Sequence, residues 1–282
     1  MVRRLTATAS AVTAAFGQAS ADHRAALIGY LPAGFPTVPG AIEAARSVAA
    51  AGADIIEVGL PYSDPLMDGP VIAEAVHRAL TSGTRVADVL GTVEAVAAAG
   101  IPVLVMTYWN PVEKYGVRAF ARDLARAGGS GLITPDLTPE EAGPWLEASD
   151  SCGLDRVFLA APSSTDARVA TIAGTCRGFV YAASLMGITG TRDAVSGDAS
   201  ALVKRIRQHT DLPVAVGLGV SNGAQAAQVA AFADGVIVGS AFVRRLLEAA
   251  DGDPGTSGDA GMGAVRDLAA ELSAGVRRAV HP

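Results

Sequence analysis

Eight short apolar runs, each followed by an alanine-rich stretch of helical character, recur along the chain from Ala26 onward. They read ALIGYL (26–31), ADIIEVGL (53–60), PVLVMTYW (102–109), GLITPD (131–136), RVFLAA (156–161), GFVYAAS (178–184), LPVAVGLG (212–219) and GVIVGSA (235–241). Hydrophobicity is nearly continuous within each run, which is the mark of strands covered on both faces in a parallel sheet. The stretches between them, such as AIEAARSVAAAG (41–52) and FARDLARAGG (120–129), end in glycine, the usual residue just past a helix. Strand and helix in strict alternation predict βα units. Eight of them favour closure into a (β/α)8 TIM barrel, with an open doubly wound sheet as the alternative. The 282 residues suit one such barrel of roughly 250 residues, so a single catalytic domain spanning 1–282 is expected.

The flanking segments are read around that barrel. The first sixteen residues, MVRRLTATASAVTAAF, carry Arg, Ser and Thr without acids but have no secretory apolar core, and an extra N-terminal helix is expected there. The stretch DGDPGTSGDAGMG (251–263) reads as a flexible surface connector before one last helix.

Charge and cysteine use narrow the function classes. Twenty-eight acidic against 22 basic residues give a net charge of -6, with the basic residues scattered, so neither nucleic acid nor an anionic membrane is an expected partner. No apolar run approaches the ~20 residues of a membrane span. Cys152 and Cys176 form no disulfide framework or CxxC motif, which points to a reducing, cytoplasmic setting and a small soluble ligand.

In this fold the reacting groups gather at the carboxyl ends of the strands. Glu57 interrupts IIEVGL inside a strand, where desolvation among aliphatic neighbours raises a carboxyl pKa toward neutrality unless an arginine or backbone amides compensate. The following segment PYSDPLMDGP (61–70) holds three prolines, one glycine and two aspartates, a stiff loop able to hold Asp64 and Asp68 over the barrel mouth. Asp68 lies eleven residues beyond Glu57, far enough for the chain to return and face it across a substrate. Two carboxylates in different surroundings can take different roles. Asp64 serves equally well as a local cap.

Three glycine patches follow strands six to eight: MGITG (186–190), GLGVSNG (217–223) and VGSAF (238–242). Backbone amides at Gly190, Gly219, Gly239 and Ser240, with a helix N-terminus, can hold a phosphate without a lysine. The two lysines, Lys114 and Lys204, fall in a loop and mid-helix rather than on a strand, where a Schiff base would want them. The four histidines, His23, His77, His209 and His281, show no metal-ligand spacing, so no metal is expected. Acid-base chemistry by carboxylates on a phosphorylated substrate is what remains.

The motifs IIEVGLPYSDPLMDGP, MTYWNPV, LITPDLTPEEA, YAASLMGITGTR and VGLGVSN with DGVIVGSA occur in order over roughly residues 23–245 and resemble the tryptophan synthase α subunit family. The resemblance implies retro-aldol cleavage of indole-3-glycerol phosphate, with Glu57 as proton shuttle and Asp68 as acceptor for the indole N–H. It implies that Tyr30, Leu104 and Tyr108 line the indole pocket, that Tyr181 lies near Glu57, and that Thr189 belongs to a loop closing over the site. It places Asp64, Asn110 and Pro111 against a β subunit in an α2β2 heterotetramer and Asp136 on a loop tied to communication between sites. It implies no cofactor in this chain, pyridoxal phosphate being held by the β partner. Met67, Pro32, Ala33 and the glycine-rich 251–263 depart from the familiar pattern without touching a proton-transfer position. A stand-alone lyase, a non-catalytic activator of a β subunit and a phosphoribosyl isomerase on the same scaffold are the competing readings. The isomerase would want acids on strands one and five, and those runs offer none at the mouth.

Overall fold

The structure, a computed structural model, describes residues 10–183, 192–252 and 257–279. Eight strands occupy the expected runs: β1 (Ala26–Pro32), β2 (Ile55–Gly59), β3 (Val103–Met106), β4 (Gly131–Thr134), β5 (Asp155–Ala160), β6 (Val180–Ala183), β7 (Val214–Gly217) and β8 (Gly235–Val238). Each pairs in parallel with the next, and β8 returns to β1 from Ala26↔Gly235 to Gly29↔Val238, which closes the barrel and excludes the open sheet.

Side chains alternate between two cores, as strand geometry requires. Ile28, Ile55, Leu104, Ile133, Val157, Phe179, Ala215 and Ile237 point inward and fill the barrel. Leu27, Ile56, Val58, Val103, Val105 and Phe158 belong to the outer core formed with the helices. The expected extra N-terminal helix spans Ala11–Ala21, capped by Ser10, whose side chain accepts from the Thr13 N–H at 3.1 Å. It presses Val12, Phe16 and Ala19 into the bottom of the barrel, Phe16 meeting Phe179 with ring centroids 5.4 Å apart. Arg24, directly after this helix and only 6% exposed, forms a two-pronged ion pair with Asp54 at 2.7 and 2.8 Å. Asp54 also accepts the Leu27 N–H at 2.8 Å, fastening the lower ends of β1 and β2.

Two expectations change. The third run does not stay extended to residue 109: β3 ends at Met106 and Trp109 opens the helix Trp109–Tyr115. Asp136 accepts the Trp109 N–H at 2.9 and 3.1 Å, and Pro111 fits a first turn whose N–H groups need no helical partner. The stretch 251–263 is not a connector throughout, because the last helix begins at Ser257 and runs to Arg278. Its small residues allow close packing: a Cβ on Gly261 would sit 2.9 Å from the Ala249 Cβ. Glu271 accepts the Gly223 N–H at 2.8 Å, joining this helix to the start of Gly223–Ala230.

Candidate active site

Strand β2 carries Glu57 into the barrel. Ile55 faces inward one layer below, Ile56 and Val58 face the helices, and register sets Glu57 between Tyr30 on β1 and Leu104 on β3. The carboxyl is fully buried, and neither oxygen has a hydrogen-bond partner among the described residues. Among the described residues no arginine or amide compensates it. Burial alone pushes its pKa from 4.5 up to about 8, which lets it hold and release a proton near neutral pH.

Above Glu57 the strand ends in Gly59, and the missing side chain is needed there. A Cβ on Gly59 would lie 2.7 Å from Tyr30 Cζ, so the glycine makes room for that phenol over the carboxyl. The same device recurs on β7, where a Cβ on Gly217 would lie 2.9 Å from Tyr181 Cζ. Burial, with the nearby carboxylates adding, drives both phenols far above their ordinary pKa; Tyr30 feels Asp68 and Glu57, and Tyr181 feels Glu57. Both remain neutral hydrogen-bond donors.

The loop after β2 brings Asp68 back over the barrel mouth, where Asp68 and Glu57 line one cavity of about 320 Å³ with Tyr30 and Tyr181. Asp68 is half-buried. Desolvation raises its pKa and a hydrogen bond from the Tyr108 hydroxyl, 3.0 Å away, offsets part of that rise. One part of the cavity wall is apolar, with Met106, Leu159, Ile72 and Pro135. Another part is backbone: Gly217, Leu218, Gly219, Gly239 and Ser240.

That glycine wall has the features of an anion site. Gly219 adopts φ +77, a conformation that side chains resist, and Gly239 precedes the helix Ser240–Ala250 without any side-chain cap. The first-turn amides and positive dipole end of that helix therefore remain available to a negative group. No lysine or arginine lines the cavity among the described residues. Nor does any cluster of three or more His, Cys, Asp or Glu side chains among them stand where it would hold a metal ion.

The structure thus brings together Glu57, Asp68, Tyr30, Tyr181, Gly219, Gly239 and Ser240. Gly190 and Thr189 lie outside the described residues. Leu104 does not reach the cavity: it is fully buried in the barrel interior with Ile28 and Ile55, and Met106, two residues further along the same face, lines the wall instead. Period-two alternation along β3 points to Met106 as readily as to Leu104; height along the strand separates them. Tyr108 also stands off the wall, behind Asp68. Asp64 is exposed and accepts from the Ser63 hydroxyl at 2.5 Å, while the next helix, Pro70–Thr81, has Gly69 rather than Asp64 at its cap. Exposed Asn110 approaches the Tyr62 hydroxyl at 3.4 Å, Pro111 sits half-buried beside it, and exposed Asp136 holds the Trp109 amide.

A cleft of about 570 Å³ opens at the opposite end of the barrel, between the N-terminal helix and the turn before β7. Its arginines are engaged, Arg24 with Asp54 and Arg207 with Asp234 at 2.8 Å. The acid on β5, Asp155, also lies at this lower end, opening its strand rather than facing the mouth.

Comparison with known proteins agrees with the geometry. Residues 16–260 match the family described as tryptophan synthase alpha chain. The tryptophan synthase alpha chain of Thermobifida fusca is 61% identical over 267 residues, covering 94% of this chain and 97% of that one. The alpha chain of Salinispora arenicola is 60% identical over 272 residues, covering 96% and 100%. A structure of Mycobacterium tuberculosis tryptophan synthase superposes with a TM-score of 0.87 at 54% identity, covering 96% of this chain and 99% of that one. The alpha subunit from Legionella pneumophila superposes at 0.85 with 30% identity, covering 95% and 99%.

Proposed function

The chain belongs to the tryptophan synthase alpha chain family, a carbon-carbon lyase that cleaves indole-3-glycerol phosphate in tryptophan biosynthesis, and on that premise we propose how its residues divide the work. Glu57 is the proton shuttle. Protonated near neutral pH, it delivers its proton to indole C3; the resulting carboxylate then takes the proton of the glycerol hydroxyl next to the breaking bond. The carbon-carbon electron pair returns to the ring as indole leaves, and the glycerol fragment departs as glyceraldehyde 3-phosphate. Asp68 accepts the indole N–H and stabilises the positive charge that C3 protonation places on the ring.

One observation carries this reading: a fully buried carboxyl, both oxygens without a partner among the described residues, faces the same cavity as a second, half-buried carboxylate. A carboxyl with a pKa of about 8 works as acid and base in turn, whereas the more solvated Asp68 suits a steady acceptor. Tyr30, Tyr181 and Met106 bound the indole and glycerol portions, and Gly219, Gly239, Ser240 and Gly190 receive the phosphate.

The family implies a beta partner. The further reading is an α2β2 heterotetramer in the cytoplasm, with residues 1–282 acting as one catalytic domain. Asp64, Asn110 and Pro111 face the β subunit, Asp136 lies on the communicating loop, and pyridoxal phosphate is held by the β partner alone. No helix of the described residues is long and apolar enough to cross a membrane.

The test is indole release from indole-3-glycerol phosphate by the purified chain, with and without a tryptophan synthase β subunit. Slow release that the β subunit accelerates is expected. Brisk release indifferent to β supports a stand-alone lyase, and none in either condition supports an activator. Glu57→Gln is expected to abolish nearly all turnover and Asp68→Asn to slow it. Full turnover in Glu57→Gln rules out the proton-shuttle role.

A further inference from the structure

The loop that carries Asp68 needs something to hold it still. Its tip is unsupported by packing, since Leu66 is 83% exposed and Met67 47% exposed. Asp68 follows directly, and a carboxylate on such a segment samples many orientations unless hydrogen bonds choose one. Tyr108 supplies two. Its hydroxyl accepts the Met67 N–H at 2.9 Å and donates to Asp68 Oδ1 at 3.0 Å, so a single oxygen fixes both the backbone before the aspartate and the carboxylate itself.

Tyr108 is in turn rigid. It is only 5% exposed, it immediately precedes the helix Trp109–Tyr115, and the next residue's N–H is bound by Asp136. Its ring packs on Tyr62 with centroids 5.3 Å apart. We infer that Tyr108 is a positioning residue for the lyase reaction, acting through Asp68 rather than by touching the indole ring. This rests on the reading of Asp68 as the indole N–H acceptor.

The geometry has a chemical consequence. By occupying Oδ1, the phenol leaves Oδ2 as the oxygen free to take the indole N–H. A donor on the carboxylate also favours its charged form against the burial that opposes it. Tyr30, Tyr181 and Glu57 are the other titratable groups lining this cavity among the described residues, and none of them makes a hydrogen bond to Asp68.

Tyr108→Phe keeps the ring and its contact with Tyr62 and removes only the hydroxyl. In the full-length chain it is expected to lower kcat about ten- to a hundredfold, the size of one hydrogen bond to a charged group, with little change in KM. The acid limb of its pH profile is expected to move to higher pH, because Asp68 loses the donor that holds it charged. The discriminating measurement is a double-mutant cycle with Asp68→Asn. If Tyr108 acts through Asp68, the double variant turns over within about twofold of Asp68→Asn alone, and a second cycle with Glu57→Asp multiplies instead. Multiplying losses in the Asp68 cycle, or a Tyr108→Phe enzyme with wild-type kcat and pH profile, would overturn the positioning role while leaving Asp68 as acceptor. Wild-type turnover in Asp68→Asn removes the acceptor reading, and the positioning role with it.

Discussion

Replacing Glu57 by glutamine should make the fold relatively more stable as pH rises while destroying its activity. In the native barrel the carboxyl is fully buried with no partner among the described residues, and its pKa stands at about 8 against an ordinary 4.5. Since the folded pKa lies above the unfolded one, the folded state holds the proton more tightly. Wild-type stability is therefore lost as pH climbs from 4.5 to about 8. At about 1.4 kcal/mol per pH unit, the penalty amounts to about 3 kcal/mol at pH 7 and about 5 kcal/mol above pH 8. Glutamine has nearly the same shape and does not ionise, so it escapes this cost. Its own unpartnered amide adds an offset that does not vary with pH. Urea unfolding of the wild type and the Glu57→Gln variant at about pH 5, 7 and 8.5, followed by circular dichroism, gives the stability gap at each pH; every other titrating group cancels in the difference. The gap should shift in favour of the Glu57→Gln variant by about 3 kcal/mol or more between the two ends of that range. An equal gap at both ends would mean that Glu57 is solvated or paired in solution, and the proposed proton-shuttle role would lose its physical basis.

Other perturbations test neighbouring parts of the site. Gly59→Ala and Gly217→Ala press a methyl against Tyr30 and Tyr181 respectively, and each should cost about 1–3 kcal/mol in thermal unfolding and lower kcat/KM; unchanged melting and turnover would show that the rings yield freely. Ser240→Asp sets a negative charge at the helix end proposed to receive the phosphate, and should raise KM for indole-3-glycerol phosphate by about tenfold or more with a smaller effect on kcat. An unaltered KM there would place the phosphate elsewhere. Arg24→Ala leaves Asp54, 15% exposed, without its guanidinium; a loss of about 3 kcal/mol is expected, because a broken buried pair strands a charge. Turnover at low temperature should stay at the wild-type level, since this pair lies at the end of the barrel opposite the cavity.

Local sequence determined the eight apolar runs, the glycines that end the helices, the carboxyl placed inside IIEVGL and the late glycine patches, all of which are properties of neighbouring residues. Strand count then made closure the economical topology, but only the pairing of Ala26 with Gly235 completes the barrel, a contact spanning most of the chain. Tertiary structure alone decided that no arginine among the described residues reaches Glu57 and that burial raises its pKa. It also separated Leu104 from Met106. Both face inward by alternation, and the difference is depth: Leu104 is sealed within the packed interior, while Met106 stands at the level where the packing gives way to the cavity. Tyr108 is the strongest case. It falls in an apolar run read as a strand, and the family resemblance set it on the wall of the indole pocket, yet β3 ends at Met106, and the hydroxyl turns to hold a loop 40 residues earlier in the chain. No local propensity encodes that bond, because it depends on two loops being carried to one end of the barrel by strands that the sequence specifies only one at a time.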